Sequence, residues 1–170
     1  ELTWRENFNN NLSFKRDYKI NLHISDMSQV KELGLDIGLS TKNYISGSVT
    51  AEINYTMFTD VKRRLHIKAD LSDAELLAPA FGWGKIKSIP GKASITLNFK
   101  EDTIINIPNF SIDAADLKVR GKVGFKKGGG VLKRIDFTEI VYGRTNIRGV
   151  LIPRKIDGWD AGFYGSSFEL

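Results

Sequence analysis

Two histidines and several groups of aspartates are the residues whose types best suit metal binding or acid–base chemistry. His23 and His66 each fall in an alternating stretch, on the side that also carries lysine and aspartate. Neither has a partner at metal-ligand spacing, and no HExxH or CxxC motif is present. We therefore expect both to be solvated side chains, and we predict no metal site.

The carboxylates cluster where turns are expected, within residues 70–75 and near Asp116 and Asp157. Catalysis by a carboxylate pair needs two groups that face one cleft with separated pKa values. Aspartate is also favoured in turns because its side chain hydrogen-bonds the local backbone. The glycines at 128–130 lack the spacing of a phosphate-binding loop, and no GxSxG motif is present. We predict no catalytic residue, no cofactor and a protein that is not an enzyme.

The composition narrows the class of protein further. The chain has 170 residues and no cysteine, so disulfides, thiol catalysis and cysteine zinc sites are excluded. No uncharged stretch approaches the roughly 20 residues that a membrane-spanning helix needs. The first residues do not resemble a signal peptide and already alternate like a strand. We therefore expect an excised segment of a longer protein.

Apolar and polar residues alternate through most of the chain, which is typical of half-buried strands. The stretch from Leu12 to Ile24 is the longest, and Arg16 is the one break on its apolar side. A short helix is predicted from Asp26 to Gly34, where Asp26 can cap the first turn. We predict one all-β domain over residues 1–170, with one short helix and long twisted antiparallel strands in a curved sheet or groove.

One side of the alternating stretches is predicted to form a broad apolar surface. Its members are Phe14, Tyr18, Ile20, Ile53, Tyr55, Ile95, Leu97, Phe99, Val119, Val123 and Phe125. A surface of this size does not stay in contact with water without a reason. Either another layer covers it and makes a closed core, or it is the concave side of a sheet that holds acyl chains.

The alternation stops after Leu71, where an apolar and aromatic segment follows. This segment contains Leu76, Leu77, Phe81 and Trp83. We expect these side chains to form a cap over one end or rim of the apolar surface. A loop packed on a closed core would need the same residues.

Five basic residues follow one another closely on and after a single predicted strand. They are Lys118, Arg120, Lys122, Lys126 and Lys127. Two interpretations stay open, a solvated outer face and a contact with anionic lipid or an acidic partner. Nucleic acid is not expected, because the aromatic residues that would stack on bases lie on the opposite side of the strand.

Three segments resemble the AsmA-like family of bacterial envelope proteins (the TamB/YhdP type). They are ADLSDAELLAPAFGWGKIKSIPGKASI, HISDMSQVKELGLDI and TNIRGVLIPRKIDGWDAGFYGSSFEL. In the first, an alternating strand ends in a short DLS-DA element, an apolar stretch follows, and Pro90-Gly91 opens the next strand. The resemblance identifies the chain as an excised C-terminal-type segment of such a protein.

The resemblance implies a function that the residues alone do not show. Members of this family are long, mostly β proteins thought to bridge the periplasm of Gram-negative bacteria. Their apolar groove is thought to carry phospholipid between the inner and outer membranes. The implied location is periplasmic, attached to the inner membrane through parts outside this chain. The implied partners are phospholipid and neighbouring segments of the full-length protein. The alternative is a structural or assembly β-domain with a closed core and no lipid ligand.

Overall fold

The computed structural model describes residues 1–8, 14–26, 44–79 and 82–167. The strands in these ranges are β1 (Leu2–Glu6), β2 (Phe14–Ile24), β3 (Ile45–Gly47), β4 (Val49–Phe58), β5 (Lys62–Asp70), β6 (Ala74–Ala78), β7 (Trp83–Lys85), β8 (Gly91–Lys100), β9 (Thr103–Ala114), β10 (Leu117–Phe125), β11 (Leu132–Tyr142), β12 (Thr145–Pro153) and β13 (Trp159–Ser167). The described residues contain no α-helix. The helix predicted from Asp26 to Gly34 falls almost entirely on residues outside the described ranges.

Ten of the strands form one antiparallel sheet, in the order β1-β2-β4-β5-β8-β9-β10-β11-β12-β13. The predicted all-β class with long antiparallel strands is therefore confirmed. Within the described ranges, β1 and β13 each pair with one neighbour and not with each other, so the sheet is open. Short hairpins connect many of the neighbours, because alternating stretches follow one another along the chain with few residues between them.

Two-residue turns join β8 to β9 and β9 to β10. The first residues of these turns, Glu101 and Ala115, have φ angles of 54° and 55°. Positive φ is what a two-residue hairpin needs to match the twist of its strands. The second turn places Asp116 at the end of the sheet where β9 meets β10.

A small sheet of three strands, in the order β3-β6-β7, packs at one end of the ten-stranded sheet. We call this small sheet the cap. Leu76 and Trp83 of the cap are buried together with Val49, Leu71 and Ala114, which lie at the ends of strands or just beyond them. The cluster of buried apolar side chains thus sits at this end, where the cap and the main sheet meet.

Candidate functional site

The main sheet has one face that is apolar from edge to edge. The register aligns one residue from each of its ten strands in a single row that crosses the sheet. This isoleucine row is Leu2, Ile20, Ile53, Ile67, Ile95, Phe110, Gly121, Phe137, Gly149 and Phe163. Because strand residues alternate between faces, the rows two residues away lie on this same side, the apolar face.

Three further rows complete the half of the apolar face that β1, β2, β4, β5 and β8 form. Toward the cap lies the alanine row, Leu22, Ala51, Ala69 and Ala93. Away from the cap lies the aromatic row, Trp4, Tyr18, Tyr55, Leu65 and Leu97. The next step leads to the arginine row, Glu6, Arg16, Met57, Arg63 and Phe99. Polarity therefore rises in order along the strands, from the cap to the far end.

The apolar face is only partly shielded by described residues. Ile53, Ile67 and Ile95 are half-buried, although they lie in central strands. Farther across, Ile112 is 36% exposed and Phe163 is 45% exposed. The described strands make their main contacts with their hydrogen-bonded neighbours, and the cap covers one end of the face. The face is thus a broad apolar surface that the described part of the chain does not cover with a second layer.

Aromatic rings and glycines alternate along the isoleucine row where it crosses β9 to β13. The rings of Phe110 and Phe137 meet edge to face with centroids 6.0 Å apart, and Phe137 and Phe163 lie 6.2 Å apart. The glycines between them provide the space: a Cβ at Gly121 would lie 2.5 Å from the Phe110 ring. The rings of Phe110 and Phe163 therefore each lie over a glycine of the neighbouring strand, which keeps this part of the face smooth.

The structure places all but one of the predicted surface residues on the apolar face. Those on it are Tyr18, Ile20, Ile53, Tyr55, Ile95, Leu97, Phe99, Val119, Val123 and Phe125. The prediction for Phe14 was wrong. The register shifts between Phe14 and Arg16, so that Phe14 opposes Phe58, and its ring lies 5.6 Å from the guanidinium of Arg5. This bulge turns Phe14 to the opposite face, which we call the polar face.

The predicted cap residues divide into buried and exposed ones. Leu76 and Trp83 are 7% and 9% exposed, whereas Leu77 is 45% exposed. The Trp83 indole donates a hydrogen bond of 3.1 Å to Asp116 Oδ1. Trp83 is therefore a core residue of the cap and does not lie on a rim. Phe81 falls outside the described residues.

Lys85, next to Trp83 in the alternation of β7, is buried between the cap and the main sheet. Its side chain is 1% exposed and passes over Gly91, where a Cβ would lie 2.8 Å from Lys85 Cε. The ammonium donates to the carbonyls of Ala74 at 2.7 Å and of Ser72 and Ile86 at 3.2 Å each. Desolvation lowers the pKa of Lys85, and nearby Asp73 counteracts part of this effect. Lys85 thus ties the segments of the cap together.

The two arginines of the arginine row have matching surroundings. Arg16 Nε donates to Glu6 Oε1 at 2.9 Å, and Arg63 Nη1 donates to Asp102 Oδ1 at 2.6 Å. These bonds raise the pKa of each arginine, and a neighbouring tyrosine hydroxyl adds to the effect in both cases. Beside Arg63 lies a depression of about 110 Å³, lined by Tyr55, Arg63, Phe99, Glu101 and Asp102.

The polar face carries cross-strand hydrogen bonds between polar side chains. His66 Nδ1 lies 2.9 Å from Thr96 Oγ1, whose hydroxyl donates to Asn109 Oδ1 at 3.0 Å. Ser94 and Ser111 hydroxyls lie 2.9 Å apart. His66 is thus part of a structural ladder on the sheet. Among the described residues, no group of three or more histidine or acidic side chains is placed to hold a metal ion.

The basic residues of β10 lie on the polar face, but acids from neighbouring strands approach them. Arg120 Nη1 lies 3.1 Å from Glu139 Oε2, and Lys118 is aligned with Asp113. Lys122 is aligned with Asp136, which pairs with Arg134. Lys126 and Lys127 follow β10 at its far end and are exposed. The positive charge of these basic residues is therefore partly balanced by acidic residues from neighbouring strands.

Sequence reasoning did not identify Arg63 and Lys85, although a signal was present for both. Arg63 is an even number of residues away from Leu65 and Ile67, and Lys85 is two residues away from Trp83, so each shares a side of its strand with apolar residues. Strict alternation therefore already placed a charge on the apolar side at both positions. The interruption at Arg16 was visible in the sequence, but its alignment with Arg63 required the register of β2, β4 and β5.

The fold and the site together define the class of protein, an all-β chain with an open antiparallel sheet and one extended apolar face. No protein-family model matches the chain, and searches of curated proteins and of solved structures found no significant match. In the described ranges there is no helix with the length and hydropathy needed to cross a bilayer.

Proposed function

We propose that the chain is a non-catalytic segment of a bridge-like envelope protein, and that its apolar face shields phospholipid acyl chains. The observation that carries this proposal is the isoleucine row, which crosses all ten strands of an open sheet. Soluble proteins rarely leave an apolar patch of such extent without a binding partner. Acyl chains are an occupant of matching chemistry, since the face offers hydrocarbon and aromatic contacts without a deep pocket.

The energetics of an open face suit transport. Each methylene removed from water contributes about 0.8 kcal/mol, so a chain of lipid length gains several kcal/mol even if only one side is covered. Because the other side stays accessible, the lipid is not trapped as it would be in a closed cavity. Many weak contacts along the rows then allow the lipid to slide from one strand to the next.

The location and the partners follow from the resemblance to AsmA-like proteins. We propose that the segment lies in the periplasm between the inner and outer membranes, in a protein anchored to the inner membrane. Within the described ranges the outer backbone edges of β1 and β13 pair with no strand, and they offer pairing sites to neighbouring segments of the full-length protein. The basic residues Lys118 and Lys122, on the polar face, would then make secondary contacts with anionic head groups.

Purification followed by mass spectrometry tests the lipid proposal. We expect phospholipid to co-purify with the chain and an apolar dye to bind it. Replacing Ile67 with Asn in the isoleucine row should reduce both signals several-fold. The control is Lys68→Asn, one residue along β5 and on the polar face, which should leave them unchanged.

The same measurement distinguishes the lipid proposal from the alternative. If the folded chain carries no lipid and binds no dye, the proposal fails and a structural or assembly β-domain is favoured. Equal loss in Ile67→Asn and Lys68→Asn would also argue against the apolar face as the binding surface.

A further inference from the structure

The order of the rows resembles the order of layers in one leaflet of a bilayer. Aliphatic side chains come first, in the alanine and isoleucine rows, and the aromatic row with Trp4, Tyr18 and Tyr55 follows. Charges enter the apolar face in the next row, at Glu6, Arg16 and Arg63. Tyrosine and tryptophan favour the level of lipid head groups in membranes, between hydrocarbon and water.

The distance along the strands fits a lipid. Met57 in the arginine row and Ala51 in the alanine row are six residues apart on β4. At about 3.3 Å per residue this separation is about 20 Å. The hydrocarbon of one leaflet is about 15 Å thick, half of the bilayer core. An acyl chain that starts at the arginine row therefore ends near the cap.

We propose that the arginine row binds the head group of a zwitterionic phospholipid, with its phosphate between Arg16 and Arg63 and its acyl chains pointing toward the cap. This inference rests on the proposed lipid-binding function. Arg16 and Arg63 flank Met57 from the two neighbouring strands, so their Cα atoms are about 9–10 Å apart. Their guanidinium groups bond Glu6 on β1 and Asp102 beyond β8, on opposite sides of Met57. Rotation of both side chains toward Met57 would bring them to one phosphate, whose oxygens guanidinium groups bind in pairs.

The carboxylates that pair with the two arginines point to a zwitterionic head group. Each arginine has an acidic partner, Glu6 for Arg16 and Asp102 for Arg63, so the positive charges are balanced. A purely anionic ligand would have to compete with both carboxylates. A head group with a phosphate and an ammonium matches both signs, since the ammonium can face Glu6 or Asp102 while the phosphate faces the arginines. Asp102 is 90% exposed and therefore accessible to such a group.

The test measures the affinity of the chain for dihexanoylphosphatidylcholine below its micelle concentration. We expect Arg16→Gln combined with Arg63→Gln to weaken binding at least tenfold. The matched control is Arg5→Gln combined with Arg64→Gln. These two arginines lie on the polar face, where each contacts a phenylalanine ring. The control should stay within twofold of the unmodified chain.

Four ligands separate the head group from other sources of phosphate. Dihexanoylglycerol, which has no phosphate, should bind the unmodified chain and the Arg16/Arg63 variant equally. Inorganic phosphate should not compete at concentrations similar to those of the lipid, and dihexanoylphosphatidylglycerol should bind more weakly than the choline lipid. Competition by phosphate alone would show a free-phosphate site and overturn the proposal.

The failure of this inference differs from the failure of the lipid proposal. If the choline lipid binds all variants equally, the head-group site is wrong while lipid binding stands. If no lipid binds the unmodified chain, both fall. Should the double variant not fold, photoreactive phosphatidylcholines give the answer with the unmodified chain. A head-group probe should label Met57 and its neighbours, and a probe at the acyl end should label residues near Ala51; the reverse pattern would refute the orientation.

Discussion

The ring of Phe163 on β13 lies directly over Gly149 on β12. A Cβ at Gly149 would come within 2.6 Å of Phe163 Cε1 and within 2.7 Å of the Gly162 carbonyl oxygen. The same arrangement occurs at Phe110 and Gly121. In both cases the aromatic ring covers the backbone that the glycine leaves bare, so the apolar surface stays continuous across strands that lack a side chain at that place.

Gly149→Ala should therefore destabilise the sheet. The new methyl group displaces the ring or the backbone of β13, and overpacking of this kind costs about 1–3 kcal/mol. Urea unfolding measures the change in the free energy of unfolding. Gly162→Ala is the control, because the nearest atom to a Cβ there is 3.8 Å away and the change should stay within about 0.5 kcal/mol. Equal stability of the two variants would contradict the packing of Phe163 over Gly149.

Lys85→Met should loosen the cap. The thioether keeps the length of the side chain but cannot donate to the carbonyls of Ser72, Ala74 and Ile86, and buried groups without a partner cost about 1–3 kcal/mol. Removing a desolvated charge offsets part of this loss. Thermal unfolding followed by fluorescence reports on the cap when Trp83 is the one tryptophan kept and Trp4 and Trp159 are replaced with Phe. The control is Lys87→Met, at an exposed position two residues on, which should leave the unfolding temperature almost unchanged. If Lys85→Met also leaves it unchanged, Lys85 does not stabilise the cap.

The pH dependence of stability gives a separate test of Lys85. Its folded-state pKa lies below the ordinary value of 10.5 because of desolvation, so in the range just below pH 10.5 the unfolded chain binds more protons than the folded chain. The contribution of Lys85 to the free energy of unfolding therefore rises as pH increases through this range. Urea titrations at several pH values should show a more positive slope for the unmodified chain than for Lys85→Met. Parallel slopes would mean that folding leaves the pKa of Lys85 unchanged.

The alternation of residue types was sufficient to predict the β class and most of the apolar face. A period of two coincides with the pleat of a strand, so each apolar side chain was assigned a face from its parity alone. Phe14 was misplaced because one inserted residue, Lys15, reverses the parity, and that bulge depends on how β2 pairs with β4. No local pattern in the sequence reveals it.

The burial of Trp83 also depended on a distant residue. In the sequence it belongs to an apolar segment that fits a rim or a core equally well. Its hydrogen bond to Asp116, 33 positions later, fixes it inside the cap, and the turn that carries Asp116 is placed by the pairing of β9 with β10. Contacts of this kind arise from the assembled fold.

Tryptophan fluorescence should distinguish the apolar face from the cap. Trp4 lies in the aromatic row and is 59% exposed, whereas Trp83 is 9% exposed. In variants that keep one tryptophan and have Phe at the others, short-chain phosphatidylcholine should shift the emission of Trp4 to shorter wavelength. The emission of Trp83 should not move, because the indole is already out of water. A shift at Trp83 alone would place the ligand at the cap and contradict binding along the rows.

The described part of the main sheet contains an even number of strands, and this has a consequence for longer assemblies. Since all ten strands alternate in direction, β1 and β13 run opposite to each other. A second sheet of the same kind, displaced sideways without being turned over, would therefore meet the first as an antiparallel neighbour. Its apolar face would lie on the same side as that of the first. Units of this design would lengthen the apolar surface in proportion to their number, with no change of strand polarity or of face at any junction.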